Sequence, residues 1–352
     1  MKLNETPVRT SRNFNINNIK LDDVNIPENI GEFTGINIKN NTSKIAVLNE
    51  KTENDLIYGL SDVLTNQVNR FSNQSLKILI DSKVNKQIEI DFSFDKDNVN
   101  LVENIEIESN EEANATVIIK YQSDEEKEYF HNGIIKVKTG KNSKLNIIIA
   151  NFMSLKSNNF LSIENSCEEN SKVVYNMIEF GGKNNIINHY TNLLGKGSEA
   201  LINGIYLGKE DQLIDLNYIA ELRGEKSNVN IEIQGALKDV ARKHFKGTID
   251  FKKGCKKATG NENEACMLLS DKARSLALPM LLCSEEEVEG NHSSSSGKIG
   301  DKELFYIMSR GFDYKSALKL LVRAKFNQIL DNIPSEEMKN EISYEIDRRL
   351  DW

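Results

Sequence analysis

A chain of 352 residues has room for one long domain or two. Its 45 basic residues against 53 acidic ones give a net charge of -8 with no basic block, which excludes a general electrostatic attraction to nucleic acid or anionic membranes. The first 30 residues lack the apolar stretch of a secretory signal, and no apolar run is long enough to span a bilayer, so a cytoplasmic protein is expected. The four cysteines, Cys167, Cys255, Cys266 and Cys283, form no CxxC pair, so neither a disulfide framework nor a zinc knuckle is encoded and free thiols are expected.

In chain order, residues 1–50 are rich in Asn, Asp and Lys and are punctuated by Pro27 and Gly31, which predicts loosely organised extended segments with frayed ends. From Thr52 the spacing of Leu56, Leu60, Leu64, Val68 and Phe71, behind a Thr52/Asp55 capping pair, predicts a helix. This N-terminal region ends near residue 74. Residues 75–299 then carry a train of short β-branched segments, among them Leu76–Ile80, Gln87–Phe92, Lys144–Ala150, Ala200–Leu207 and Gly247–Phe251. Apolar and polar residues alternate in many of them, and Asn/Gly/Ser/Lys turns such as Gly140–Ser143 and Gly195–Ser198 separate them. Such a train fits a sandwich or a β-solenoid equally well.

Residues 300–352 read as helical. Asp301 opens a segment with Leu304, Phe305 and Met308 on one face and Gly311 as its stop. Asp313 caps a second helix whose stripe is Ala317, Leu320, Leu321 and Ala324, ended by Pro334. From Ser335 a third shows Met338, Ile342, Ile346 and Leu350 at i, i+4 spacing. These helices suggest an appended docking module whose removal leaves the β body folded.

Three blocks in one order carry a family resemblance: Leu237 to Ile249 (LKDVARKHFKGTI), Met267 to Ala273 (MLLSDKA) with Pro279 beyond, and His292 to Gly311, ending LFYIMSRG. They resemble the core of the SufB/SufD scaffolds of iron–sulfur cluster assembly. The resemblance implies a mainly β fold, a right-handed parallel β-helix with helical N- and C-terminal regions. It also implies a non-enzymatic scaffold that carries a transient iron–sulfur cluster and no tightly bound cofactor. Its implied partners are a SufC-type ABC ATPase, a SufB-like paralogue or a second copy as dimer partner, and a cysteine desulfurase or sulfur carrier. Gap-free alignment from Ser270 through Pro279 to Lys298 places the SufB-type cysteine at Glu264 and its glutamate partner at Ser293, while His292 falls on the histidine that SufD-like subunits bring to the interface. The pattern is SufD-like more than SufB-like.

The candidate metal-site residues are therefore His292, Cys266 and Glu264. His292, in the polar stretch Glu289 to Gly297, offers an accessible imidazole nitrogen; the plainer alternative is a loop histidine bonded to nearby hydroxyls. Glu264 is a hard oxygen donor or else a solvated turn carboxylate. Cys266 shares a strand face with Glu264 and otherwise behaves as a small buried hydrophobe. Cys255 and Cys283 fit apolar strand positions, and Cys167 fits a turn beside Glu168 and Glu169. Phe305, Leu321 and Phe326 are the candidate ATPase anchors, or else they fasten the tail to the β body. Two rival functions are a self-sufficient SufB-like homodimer using the Cys266 thiol and a β-helix carbohydrate-active enzyme. The absence of a secretory signal weighs against the second.

Overall fold

A computed structural model of the chain describes residues 1–10, 16–22, 24–39, 45–50, 52–81, 87–124 and 126–351. The described residues form a parallel β-solenoid of about eight turns. Alternate strands along the chain fall into two nine-stranded sheets. In the first sheet, Asn228, Thr259 and Glu289 are successive register partners, so one coil there takes 31 and the next 30 residues. Each sheet starts with an antiparallel pairing, Ile36–Lys39 on Gln87–Phe94 and Ile45–Leu48 on Gln74–Ile80, which closes the N-terminal end. The other end stops on two parallel strands, Arg274–Cys283 and Glu289–Lys298.

Coil corners repeat a left-handed backbone position. Asn142, Asn170, Gly197, Lys226 and Lys257 have φ between 53° and 67°. Each donates its backbone N–H to a carbonyl of the next corner, from Asn142 to Glu169 at 3.0 Å through Lys257 to Glu287 at 2.6 Å. Asparagine and glycine suit this conformation, and the lysines are held in it by the stacked corner bonds.

Both faces of most strands are buried, which is why clean alternation is missing from segments such as Asn184–Leu193 and Leu213–Leu222. Inward residues form the solenoid core, including Ile147, Ile149, Ile202, Ile231 and Phe245. The outer face of the first sheet, with Ile148, Phe152, Ile178, Phe180 and Leu207, lies under the C-terminal helices Tyr314–Leu330 and Glu336–Leu350. The outer face of the second, with Val102, Phe130, Phe160 and Ile186, lies under Leu3, Ile19 and the helix Asp62–Phe71.

Several sequence expectations are corrected here. The first helix begins at Asp62, with the Ser61 hydroxyl accepting from the Leu64 N–H at 3.3 Å. Ahead of it, the backbone N–H groups of Ile57 and Leu60 are bound by Glu164 and Ser162 of the β body, and Gly59 disfavours helix. The chain start is clamped, not frayed. Asn4 is fully buried, donates to Ile187 O and Asp215 Oδ1, and accepts from Lys246 at its carbonyl. In the tail, Asp313 caps its helix as expected, the last helix begins at Glu336 behind a Ser335 cap, and Gly311 is left-handed at φ 99°. The buried stripe of Tyr314–Leu330 is Ala317, Leu318, Val322, Phe326, Ile329 and Leu330, rotated from the expected one, so Leu320 points outward. The tail is also not simply appended. Fully buried Arg349 donates to the carbonyls of Phe180, Phe152 and Met153, and removing residues 301–352 would strip an apolar sheet face.

Candidate functional site

The two ends of the solenoid differ in how their backbone is satisfied. All ten residues of Glu289–Lys298 are exposed, and Met280 is the one buried residue of Arg274–Cys283. Each strand lies last in its sheet, so one edge of each presents unpaired N–H and C=O groups. The apolar Leu276 is 46 % exposed there.

Directly beneath this end the core turns polar. Glu264, on Thr259–Leu268, is fully buried and accepts at Oε1 from Lys243 Nζ at 2.7 Å and from the Tyr206 hydroxyl at 2.8 Å. Its Oε2 accepts from the Ser294 hydroxyl of the last strand at 2.9 Å. Lys243 is itself fully buried and also donates to Leu276 O at 3.3 Å. Two residues further along the same inward face lies Cys266, 4 % exposed, with Tyr206 and Ser275 within hydrogen-bonding reach. Burial pushes its thiol up from the usual range, against the opposing pull of Lys243. Two residues the other way lies Glu262, 2 % exposed, neither of whose carboxylate oxygens has a protein partner. Desolvation, with the charge of Glu264 second, pushes its carboxyl up to about 8. Among the described residues, no three His, Cys, Asp or Glu side chains stand close enough together to hold a metal ion.

The profile of the SUF system FeS cluster assembly family, SufBD core domain, matches residues 92–325. The chain belongs to the SufBD core family. It is 29 % identical over 160 residues to the iron–sulfur cluster assembly protein SufD of Bacillus subtilis, covering 46 % of this chain and 37 % of that protein. A SufBD family protein of Pyrococcus horikoshii is 33 % identical over 168 residues, covering 47 % and 37 %. SufD of Escherichia coli is 23 % identical over 240 residues, covering 68 % and 57 %. The matched region thus spans little more than a third of the first two relatives. No helix among the described residues is long and apolar enough to cross a membrane.

Within this SufBD fold the predicted site residues fare differently. His292 stands on a strand, not in a turn, and it is exposed on the last coil. Its register partner is Glu262; those of Glu264 and Cys266 are Ser294 and Ser296. The structure therefore gathers His292, Glu264 and Cys266 on one inward-facing surface of two neighbouring strands. Glu264 is no solvated turn carboxylate; the Lys243 ion pair and two hydroxyls engage both its oxygens, which leaves it a poor ligand. Cys255 packs in a corner rather than a strand, Cys283 is exposed with its thiol 2.9 Å from Glu285 O, and Cys167 is buried at a strand end with its thiol pushed up to about 11 by burial. In the tail, Phe305 is 73 % exposed on Asp301–Ser309, a helix with no buried residue. Leu321 is half-buried, and Phe326 is fully buried and stacks on Phe180 at a centroid distance of 6.3 Å. Phe326 thus fastens the tail to the β body.

Lys243, Tyr206 and Glu262 are not among the expected site residues. The signal lay in the alternation Lys243, Phe245, Gly247, Ile249, Phe251, which places a lysine at an inward position and so demands a buried acid. A second polar chain runs through the middle coils. The Tyr121 hydroxyl donates to Glu103, His131 contacts Glu103 at 3.3 Å and Asn159 at 2.5 Å, Asn159 donates to Asn185 at 2.7 Å, and Asn185 donates to Glu179 Oε2 at 2.9 Å. Desolvation pushes the Glu179 carboxyl up to about 7.

Proposed function

We propose that this chain is a SufD-like scaffold subunit of iron–sulfur cluster assembly, without catalytic chemistry of its own. It docks an ABC-type ATPase on its tail and a second SufBD chain on its open end. The observation that carries this reading is the uncovered last coil. Two unpaired strand edges there flank an exposed imidazole, His292, and a near-buried thiol, Cys266. Edge-to-edge pairing with another SufBD chain would satisfy the backbone groups and place the partner's donor groups against His292. The nascent cluster, fed by a cysteine desulfurase or sulfur carrier, is the cargo held between the two chains. Phe305, Tyr306 and Met308, exposed on a helix that buries nothing, are the anchors of the ATPase surface.

Anaerobic reconstitution of the chain with the ATPase and a SufB-like partner, followed by iron and sulfide assay, tests the reading. His292→Ala, with folding and ATPase binding intact, is expected to lower cluster yield more than Cys266→Ser does. Full yield from His292→Ala removes the site assignment. Total loss from Cys266→Ser supports the self-sufficient homodimer instead, in which the near-buried Cys266 thiol would accept the sulfur.

A further inference from the structure

The polar chain through the middle coils ends on an idle atom. Oε2 of Glu179 accepts from Asn185, but Oε1 meets no protein donor, although the residue is 1 % exposed. Two fully buried residues share this condition: the Tyr218 hydroxyl and both ring nitrogens of His189 are without a protein partner. The coils bring the three together. Glu179 ends the strand Lys172–Glu179, His189 stands on Asn184–Leu193 one corner later, and Tyr218 is the register partner of His189 on the next strand of the second sheet. Each shares its strand face with a core residue two positions away, Met177, Ile187 and Leu216, so all three point into the solenoid. The ring centroids of His189 and Tyr218 are 5.5 Å apart.

What these atoms can bind follows from their charge and from the room beside them. Burial lowers the His189 pKa to about 3, so the imidazole is neutral, with one N–H to donate and one nitrogen to accept. Desolvation, with the Glu179 charge second, holds the Tyr218 phenol in its protonated form. With the Glu179 proton in place the set carries no net charge and offers both donors and acceptors, which suits a small neutral ligand and not an ion. The perpendicular Tyr175 ring, its centroid 4.5 Å from that of His189, can take the imidazole N–H on its face and leaves the second nitrogen bare. On the facing sheet stands Gly204, where a Cβ would lie 3.7 Å from the Tyr218 hydroxyl oxygen. Ile233 Cδ1 comes within 2.8 Å of the same point, so the room beside the hydroxyl is small.

We propose that the solenoid binds ordered water here, held by the Tyr218 hydroxyl, Oε1 of Glu179 and a ring nitrogen of His189. Left unsatisfied, each of these buried groups costs the fold its full desolvation penalty, whereas one buried water makes about three hydrogen bonds and satisfies several of them at once. The bound water ties the first sheet to the second at this level and sets which His189 nitrogen carries the proton. It is a role separate from the open end and from cluster chemistry.

The test is water-oxygen magnetic relaxation dispersion of the full chain, which counts long-lived internal waters, at about pH 5.5, below the value of about 7 at which Glu179 ionises. Tyr218→Phe keeps the ring and deletes the hydroxyl. It should lose at least one such water, lower the urea midpoint and move the His189 ring nitrogen chemical shifts. A dry site predicts the opposite sign in stability, because the same substitution would then delete an unsatisfied buried group. An unchanged dispersion, or a raised urea midpoint, overturns the inference. Should Tyr218→Phe fail to fold, a high-resolution crystal structure of the intact chain decides. A water within hydrogen-bond distance of the Tyr218 hydroxyl and of Glu179 or His189 upholds the site, and none there overturns it.

Discussion

Glu179 makes the solenoid interior measurably sensitive to pH. The carboxyl is buried between coils, accepts from Asn185 at Oε2 and has no partner at Oε1, and burial holds its proton up to about pH 7 against an ordinary value of 4.5. Below pH 4.5 the group is protonated in folded and unfolded chains alike and favours neither. As pH rises from 4.5 to 7 the unfolded chain releases the proton and the folded chain keeps it, so stability falls. Above 7 both are ionised and the loss stays constant. At about 1.4 kcal/mol per pH unit, that gap amounts to about 3 kcal/mol. Glu179→Gln keeps an acceptor for Asn185 and cannot ionise. Urea unfolding of both full-length proteins at pH 4.5, 5.5, 6.5 and 7.5 should show a stability advantage of the variant that is close to zero at the lowest pH. It should grow to about 3 kcal/mol at the highest. His189, whose own pKa burial lowers to about 3, is common to both proteins and cancels. A difference that does not change with pH refutes the reasoning.

Two further outcomes follow from the packing. Lys243→Met strands the buried Glu264 carboxylate and should destabilise the fold by about 3–5 kcal/mol in denaturant unfolding, whereas Lys243→Met with Glu264→Leu should recover most of that loss; equal instability of the single and double variants would show that the ion pair is not the cause. Phe326→Ala should cost about 3–5 kcal/mol through the void it leaves against Phe180, while Phe305→Ser should leave the melting temperature unchanged and abolish capture by the ATPase.

The local and repetitive parts of this protein are legible in its residues alone. The turn chemistry at Gly140 and Gly195, the cap Asp313, and the stripe Met338, Ile342, Ile346, Leu350 are short-range signals that stand in the structure as read. The family blocks, not the periodicity, settled a solenoid over a sandwich. Strands such as Asn184–Leu193 were missed because both their faces are buried, which erases the alternation that marks a strand. The start of the first helix and the orientation of Tyr314–Leu330 were decided by contacts with the β body that no local pattern encodes. The same holds for the site. His292, Glu264 and Cys266 could be named from the sequence, but only stacking of coils 30 or 31 residues apart sets His292 over Glu262, engages Glu264 with Lys243, and leaves one end of both sheets unpaired. Those relations are long-range, fixed by inter-coil register and by which surfaces the helices cover.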